Sequence, residues 1–271
     1  MQKLLVMTDI HIVEAGQTII GLDPLARFQT ALAEALRDHP DAAALILMGD
    51  LTHHGRPAQY ARLAAALTDL AIPLIPMIGN HDRRDAFLAA FPDAPQTTQG
   101  HVQSVLDLPG HRVITLDTLD GPPHLPGHHA GRLCADRLAW LKAALDGRGD
   151  RIPLVFGHHP PYPTGIAGMD LIPLVDGTGV LDLLAACPGV HYFCGHVHRT
   201  ISGSTRGVPW TMFKSTCHQG PLDLVTLDPS LSLDEPGAYG VLLLPADGVI
   251  AHSQDVGSAA QVISEHASRH P

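Results

Sequence analysis

The sequence predicts a layered α/β fold. Three observations lead there. Short apolar runs alternate with Ala/Leu-rich stretches of helical period through the first two thirds of the chain. Beyond His198 the texture turns to strand-like pieces, with no convincing helix before the polar tail. The apolar runs end, one after another, on Gly, Asp, Asn or His, the polar rim that α/β sheets present at strand carboxyl ends.

Each element has its own signal. Leu4–Thr8 reads as a first buried strand. Pro24–Arg37 carries Leu25, Phe28, Leu32 and Leu36 at helical spacing and is stopped by Pro40. Ala43–Met48 is a strand running into Gly49-Asp50, Ala58–Leu70 a helix, and Pro73–Ile78 a strand ending at Gly79-Asn80-His81-Asp82. Val102–Leu106 and His111–Asp117 read as a β pair, Asp136–Leu145 as a helix, and Ile152–Phe156 as a strand ending at Gly157-His158. Gly179–Ala186 is a helix, and Val190–Cys194 a strand ending at Gly195-His196. Thr200–Ser204, Pro209–Lys214, Tyr239–Leu244 and Val249–Asp255 are edge or hairpin strands expected to complete the second sheet of a single domain, 1–271. Two insertions, Asp120–Gly131 (rich in Gly, Pro and His) and His159–Val175 (rich in Pro and Gly), are expected to be loops over the polar rim.

Composition narrows the partners. The 271 residues hold 17 Lys+Arg against 27 Asp+Glu, a net charge of −10, so the basic stripe needed to neutralise a long nucleic acid is missing. With 45% hydrophobic and 16% charged residues the chain can bury a sizeable core. The run Met1–Asp9 is too short for a signal peptide, and no stretch approaches a membrane span, so a cytoplasmic protein without membrane contact is expected. Cys134, Cys187, Cys194 and Cys217 form no C-x-x-C pair and read as free thiols. The 19 histidines outnumber Lys and Arg together.

The strand ends coincide with the polar clusters Asp9-Ile10-His11, Gly49-Asp50, Gly79-Asn80-His81-Asp82, Gly157-His158-His159 and Gly195-His196-Val197-His198. They deliver imidazole nitrogens and oxygens without sulfur, a donor set suited to Mn, Fe, Zn or Co rather than Ca or Mg. Asp9, His11, Asp50, Asn80, His158, His196 and His198 exceed what one tetrahedral ion uses. If Asp50 bridges, two ions each receive several protein contacts and keep open positions.

This series of D-x-H, G-D, G-N-H-D, G-H-H and G-H-x-H, running in order from Asp9 to His198, resembles the calcineurin-like metallophosphoesterase superfamily. His158-His159-Pro160-Pro161, Leu133 to Leu141 with Trp140, Asp117, and Ser215-Thr216-Cys217-His218-Gln219 are most similar to its class III cyclic-nucleotide phosphodiesterase and glycerophosphodiesterase branch. The resemblance implies a four-layer αββα sandwich of two mixed β-sheets flanked by helices, and two divalent metal ions. One would be held by Asp9, His11, Asp50 and His198, the other by Asp50, Asn80, His158 and His196. It also implies His81 near the leaving group with Asp82 orienting it, and His218 in the substrate pocket. Paired cations can clamp a phosphoryl group and supply a metal-bound hydroxide for in-line attack, while His81 or His218 protonates the leaving alkoxide. The expected partner is a small phosphodiester, a cyclic nucleotide or a glycerophosphodiester, and relatives suggest a homo-oligomer.

Other readings are weaker. Asp-Arg-Gly, which phosphoprotein phosphatases carry after the bridging Asp, is absent from Leu51–Gly55, and Thr52-His53 stand where purple acid phosphatases carry a metal-binding Tyr. A phosphomonoesterase would need the same ions, and a silent scaffold would have lost ligands that are all in place here. Most of His39, His53, His54, His101, His111, His191, His252, His266 and His270 read as packed or surface residues, and His124, His128 and His129 as solvent-facing, with reach to the substrate as the alternative. Arg83 and Arg84 suit either a substrate phosphate or a helix start.

Overall fold

The computed structural model describes residues 1–125 and 127–257; His266 and His270 lie outside them. The first half contains β1 (Gln2–Met7), α1 (Pro24–Asp38), β2 (Ala44–Met48), α2 (Pro57–Ala66), β3 (Leu74–Met77), α3 (Arg84–Ala90), β4 (Ser104–Leu108), β5 (His111–Thr115) and β6 (Gly131–Arg132). Then follow α4 (Ala135–Asp146), β7 (Ile152–Phe156), β8 (Leu174–Val175), α5 (Gly177–Ala185), β9 (His191–Cys194), β10 (Ile201–Thr205), β11 (Val208–Met212), β12 (Ala238–Leu244) and β13 (Ile250–Asp255).

Local chemistry accounts for the elements. Asp23 caps α1, its Oδ1 accepting from the backbone N of Leu25 (3.0 Å) and Ala26 (3.2 Å), and Pro24 supplies a preset φ at the first helical position. Phe28, Ala31, Leu32 and Ala35 then bury one face. Pro76 lies in β3, an edge strand, where a missing N–H costs no internal ladder bond. Helix α3 begins where Arg83 and Arg84 suit a helix start, but its short length and single buried aromatic, Phe87, leave no readable period.

Two sheets carry the fold, ordered β13-β12-β1-β2-β3 and β10-β11-β9-β7-β5-β4. Alternation along the strands builds three separate cores. In β1 and β2, Leu5, Met7, Leu45 and Leu47 face α1–α3, whereas Leu4, Val6, Ile46 and Met48 meet Leu154, Phe156, Phe193 and Phe213 between the sheets. Val155, Tyr192 and Cys194 face the other way, onto Leu141, Val180 and Leu184 of α4 and α5. Three cores between four layers give the αββα sandwich. Each buried aliphatic side chain contributes about 1.5–3 kcal/mol, and Ile46→Ala in the central layer should cost about 2–5 kcal/mol.

The strands after His198 divide between the sheets, which corrects the expectation that they complete the second one. β10 and β11 extend the second sheet, whereas β12 and β13 join the first, β12 antiparallel to β1 with Leu5 opposite Val241. The reason is β1: it is buried on both faces, and without β12 one edge of its backbone would lack hydrogen-bond partners. The two insertions are also more ordered than loops. Gly131–Arg132 pairs in parallel with Leu174–Val175, a two-residue ladder too short to leave a sequence pattern.

Candidate metal centre

All seven expected ligands stand just past the carboxyl ends of β1, β2, β3, β7 and β9, and each is at most partly exposed. Asp9, His11, Asp50, His196 and His198 have positive φ, between 49° and 69°. A left-handed conformation costs an L-residue roughly 1–2 kcal/mol, and such strain gathers where function requires it. Here the sharp turn brings each side chain back over the strand end. Gly79 is required by proximity: a Cβ there would lie 2.6 Å from the Asp50 N and 2.7 Å from His158 Cδ2.

The side chains converge. Asp9 Oδ1 lies 3.1 Å from His198 Nε2 and 3.8 Å from His158 Nε2; Asp50 Oδ2 lies 3.2 Å from His158 Nε2 and 3.8 Å from His11 Nε2. Backbone amides position both carboxylates: His81 N donates to Asp50 Oδ1 (2.9 Å), and His196 N to Asp9 Oδ2 (3.1 Å). Asp9, His11 and Asp50 together offer ligand atoms within 4.8 Å of one another.

The imidazoles are oriented from behind. His158 Nδ1 donates to Met48 O (3.0 Å), His198 Nδ1 to His218 O (2.9 Å) and His196 Nε2 to Ile172 O (2.9 Å), leaving the other nitrogen of each ring as the free donor atom. The fit to cations shows in what stays unsatisfied: Asn80 Oδ1 is buried without a hydrogen-bond partner. Cys194 is no competitor, since burial pushes its thiol up to about 12.

Charge is concentrated here. Burial opposes ionisation of Asp50, but His158 and His81 hold it well below the usual carboxylate range. Burial likewise disfavours a charged His158, yet Asp50 and Asp9 raise it to about 9.

The structure reassigns other residues. Asp82 does not orient His81: it is fully buried, and its oxygens accept from the backbone N of Leu51, Thr52 and Gly79 and from the hydroxyls of Thr52 and Tyr60. His81 Nδ1 instead donates to His53 O (2.8 Å). Its ring stacks between His53 and His129, with centroids at 5.1 and 4.9 Å. His218 stands beside His198 and His11, its centroid 4.5 and 5.3 Å from theirs. His53 and His129 therefore belong to the site rather than to the packed or solvent-facing set. The available clues are the position of His53 in the Asp50 loop and that of His129 in an insertion expected over the polar rim. His159 is buried with both nitrogens engaged, Nδ1 by Thr118 Oγ1 (2.7 Å) and Nε2 by His129 O (3.1 Å), so it packs rather than ligates. Arg84 stands at a helix start, the first residue of α3, and clamps buried Asp117 in a bidentate pair at 2.6 and 2.8 Å instead of facing substrate.

Two cavities open from the cluster and meet along His53, Asn80, His81 and His129. The first, about 360 Å³, is lined by Ile19, Ile20, Ile166, Met169, Ile172 and Leu231 beside the metal-ligand candidates. The second, about 450 Å³, lies under the 119–130 insertion and includes Arg83 and His124.

Comparison with known proteins agrees with this geometry. Residues 2–200 match the calcineurin-like phosphoesterase family. The chain is 40% identical over 252 residues to a probable cyclic nucleotide phosphodiesterase of Rhodopseudomonas palustris, covering 92% of this chain and 91% of the relative. It is 35% identical over 190 residues to a glycerophosphodiester phosphodiesterase of Enterobacter lignolyticus, covering 69% of this chain and 66% of that protein. It is 30% identical over 220 residues to a 3′,5′-cyclic adenosine monophosphate phosphodiesterase of Pseudomonas aeruginosa, covering 80% and 76%. A dimetal phosphatase from Danio rerio shares the fold, with TM-score 0.71 and 15% identity over 94% of this chain and 96% of that one. The oxygen-and-imidazole cluster at the strand ends and these matches lead to one conclusion: the chain belongs to the calcineurin-like phosphoesterase family, and it is a metal-dependent phosphodiester hydrolase with a dinuclear centre.

Proposed function

We propose that this hydrolase acts on small phosphodiesters bearing a flat, uncharged group, cyclic nucleotides foremost. The observation that carries the reading is the cavity of about 360 Å³ beside the metal-ligand candidates, whose Ile19, Ile20, Ile166, Met169 and Ile172 suit an apolar ring system. The names of the Rhodopseudomonas and Pseudomonas relatives point the same way. A glycerophosphodiester, as in the Enterobacter relative's name, is the second reading.

In this account Asp9, His11, Asp50 and His198 hold one cation, and Asp50, Asn80, His158 and His196 the other. The ions are drawn from Mn, Fe, Zn and Co. When bound, such a pair supplies charge neutralisation for the phosphoryl group and lowers the pKa of water. His81 is the proton donor to the leaving alkoxide: its Nδ1 is committed to His53 O, so Nε2 is the free atom, and the rings of His53 and His129 fix its plane. His218 is pushed down to about 3 by burial and by His198 beside it, so it is neutral at working pH and contacts substrate by hydrogen bonding instead.

The same proposal places the chain in the cytoplasm as a homo-oligomer. Its four cysteines are free, and among the described residues no helix is long and apolar enough to cross a membrane. Leu222, Leu224, Val225 and Leu227 are 61–83% exposed in one segment, which a second copy would cover. Light scattering giving a monomeric mass would end that part.

The test of substrate class is a panel of 3′,5′-cyclic AMP, 2′,3′-cyclic AMP, glycerophosphocholine and p-nitrophenyl phosphate with metal-replete protein. The highest kcat/KM should fall on a cyclic nucleotide; preference for p-nitrophenyl phosphate would turn the reading to a monoesterase.

A further inference from the structure

The second cavity differs from the first in charge. No Arg or Lys lines the apolar cavity among the described residues, and Asp223 and Asp228 stand at its wall. The second cavity has two arginines on its lining, Arg56 and Arg83. Arg56 is already neutralised, its Nη1 2.7 Å from Glu14 Oε1. Asp120, the one carboxylate there, is likewise held, 3.0 Å from His128 Nε2 and 3.4 Å from Arg132 Nε.

Arg83 is the exception. Among the described residues no carboxylate lies within 4 Å of its guanidinium; Arg62, Arg148 and Arg199 share that lack of an ion pair, but none of them lines either cavity. Its place is nonetheless built. The backbone N of Arg83 donates to Tyr60 Oη (2.9 Å), and Nη1 donates to Asp82 O (2.9 Å). The stem lies against Gly55, where a Cβ would strike Arg83 Cγ and come within 3.1 Å of Arg83 Cβ, and where φ is +67°. Glycine is thus needed twice, for conformation and for room. A half-buried, positioned guanidinium with unused N–H groups beside a cavity is suited to carboxylate or phosphate.

We infer that the second cavity receives an anionic arm of the substrate, with Arg83 as the residue that selects it. Resting on the phosphodiesterase reading, this extends the substrate class beyond cyclic nucleotides to phosphodiesters of unlike arms. The phosphate sits at the cluster, a flat uncharged group enters the apolar cavity, and a second phosphate or carboxylate enters the Arg83 cavity. A cyclic nucleotide, which has no second anion, fills only the first cavity and is a substrate without the benefit of Arg83.

The test uses metal-replete protein and two p-nitrophenyl diesters, so that the leaving group is constant: one with a glyceryl second arm, the other with a 3-phosphoglyceryl arm. The ratio of kcat/KM, phosphoglyceryl over glyceryl, should be about tenfold in the parent chain. It should fall to about one in Arg83→Gln and stay between these in Arg83→Lys, which keeps the charge but not the fork. Titration calorimetry with the hydrolysis product glycerol 1,3-bisphosphate against glycerol 1-phosphate should show the same ranking without turnover. A parent ratio near one, or a ratio unchanged in Arg83→Gln, overturns the inference while leaving the phosphodiesterase reading standing. Absence of hydrolysis of both diesters overturns that reading and the inference with it.

Discussion

Asn80 Nδ2 donates to His129 Nδ1 across 3.0 Å, and that bond decides which way the Asn80 amide faces. Its Oδ1 is left buried and unpartnered. Partners behind a ligand typically change metal affinity by 10–100-fold when removed. His129→Ala should therefore weaken one of the two ions by about tenfold and leave the other unaffected. Competition against a fluorescent chelator measures this; two unchanged affinities would show that His129 only packs.

Metal binding should release protons. His158 is raised to about 9 although burial opposes it, because Asp50 and Asp9 face it. Below that value the ring holds a proton that a cation at Nε2 must displace, so apparent affinity rises with pH until about 9 and is weakest in acid. Calorimetry at pH 7.5 in two buffers of different ionisation enthalpy should reveal the transfer. Identical heats would contradict it.

Asp82 is a staple between two loops rather than part of the proton path. Burial and the nearby Asp50 push it up to about 6, even though it accepts from Gly79, Leu51 and Tyr60. Asp82→Ala strands these buried donors and should cost about 3–5 kcal/mol, against about 1–3 kcal/mol for Tyr60→Phe. Urea denaturation decides; a loss below about 1 kcal/mol for Asp82→Ala would refute the role.

A pH effect away from the centre is expected at His191. Burial lowers this ring to about 4, and it stacks on Phe193 at 4.4 Å while Nε2 meets Thr211 Oγ1 at 2.9 Å. With a folded value below the ordinary 6.5, its contribution is present above pH 6.5 and lost as pH falls through about 4. After allowance for partial solvent screening the change is about 2 kcal/mol. His191→Phe should flatten stability over that window, as thermal unfolding at a series of pH values would show. An unchanged slope would contradict it.

Much of the fold and the ligand cluster was legible because both follow from local rules. Leu4–Thr8, Ala43–Met48 and Ile152–Phe156 are continuous apolar runs, as strands buried on both faces must be. The polar residues that follow them reach one rim whatever the loop details. What was not legible depends on pairing at a distance. Nothing local tells Tyr239–Leu244 to return to β1 instead of extending the other sheet. Nothing near His129 announces that, of the rim residues, it meets Asn80. Asp82 was misjudged for a related reason: adjacency to His81 suggested a partner, but the turn aims its carboxylate at the backbone of residues 51 and 52.

Asp9, His11, Asp50, Asn80, His158, His196 and His198 are expected to hold two cations on which phosphodiester cleavage depends. The most direct measurement strips the protein of metal, titrates Mn back, and follows bound metal and hydrolysis of bis-p-nitrophenyl phosphate together. About two ions per chain are expected, with activity that falls by at least about a hundredfold on stripping and returns with the ions. Undiminished hydrolysis by protein shown to carry no metal would contradict it.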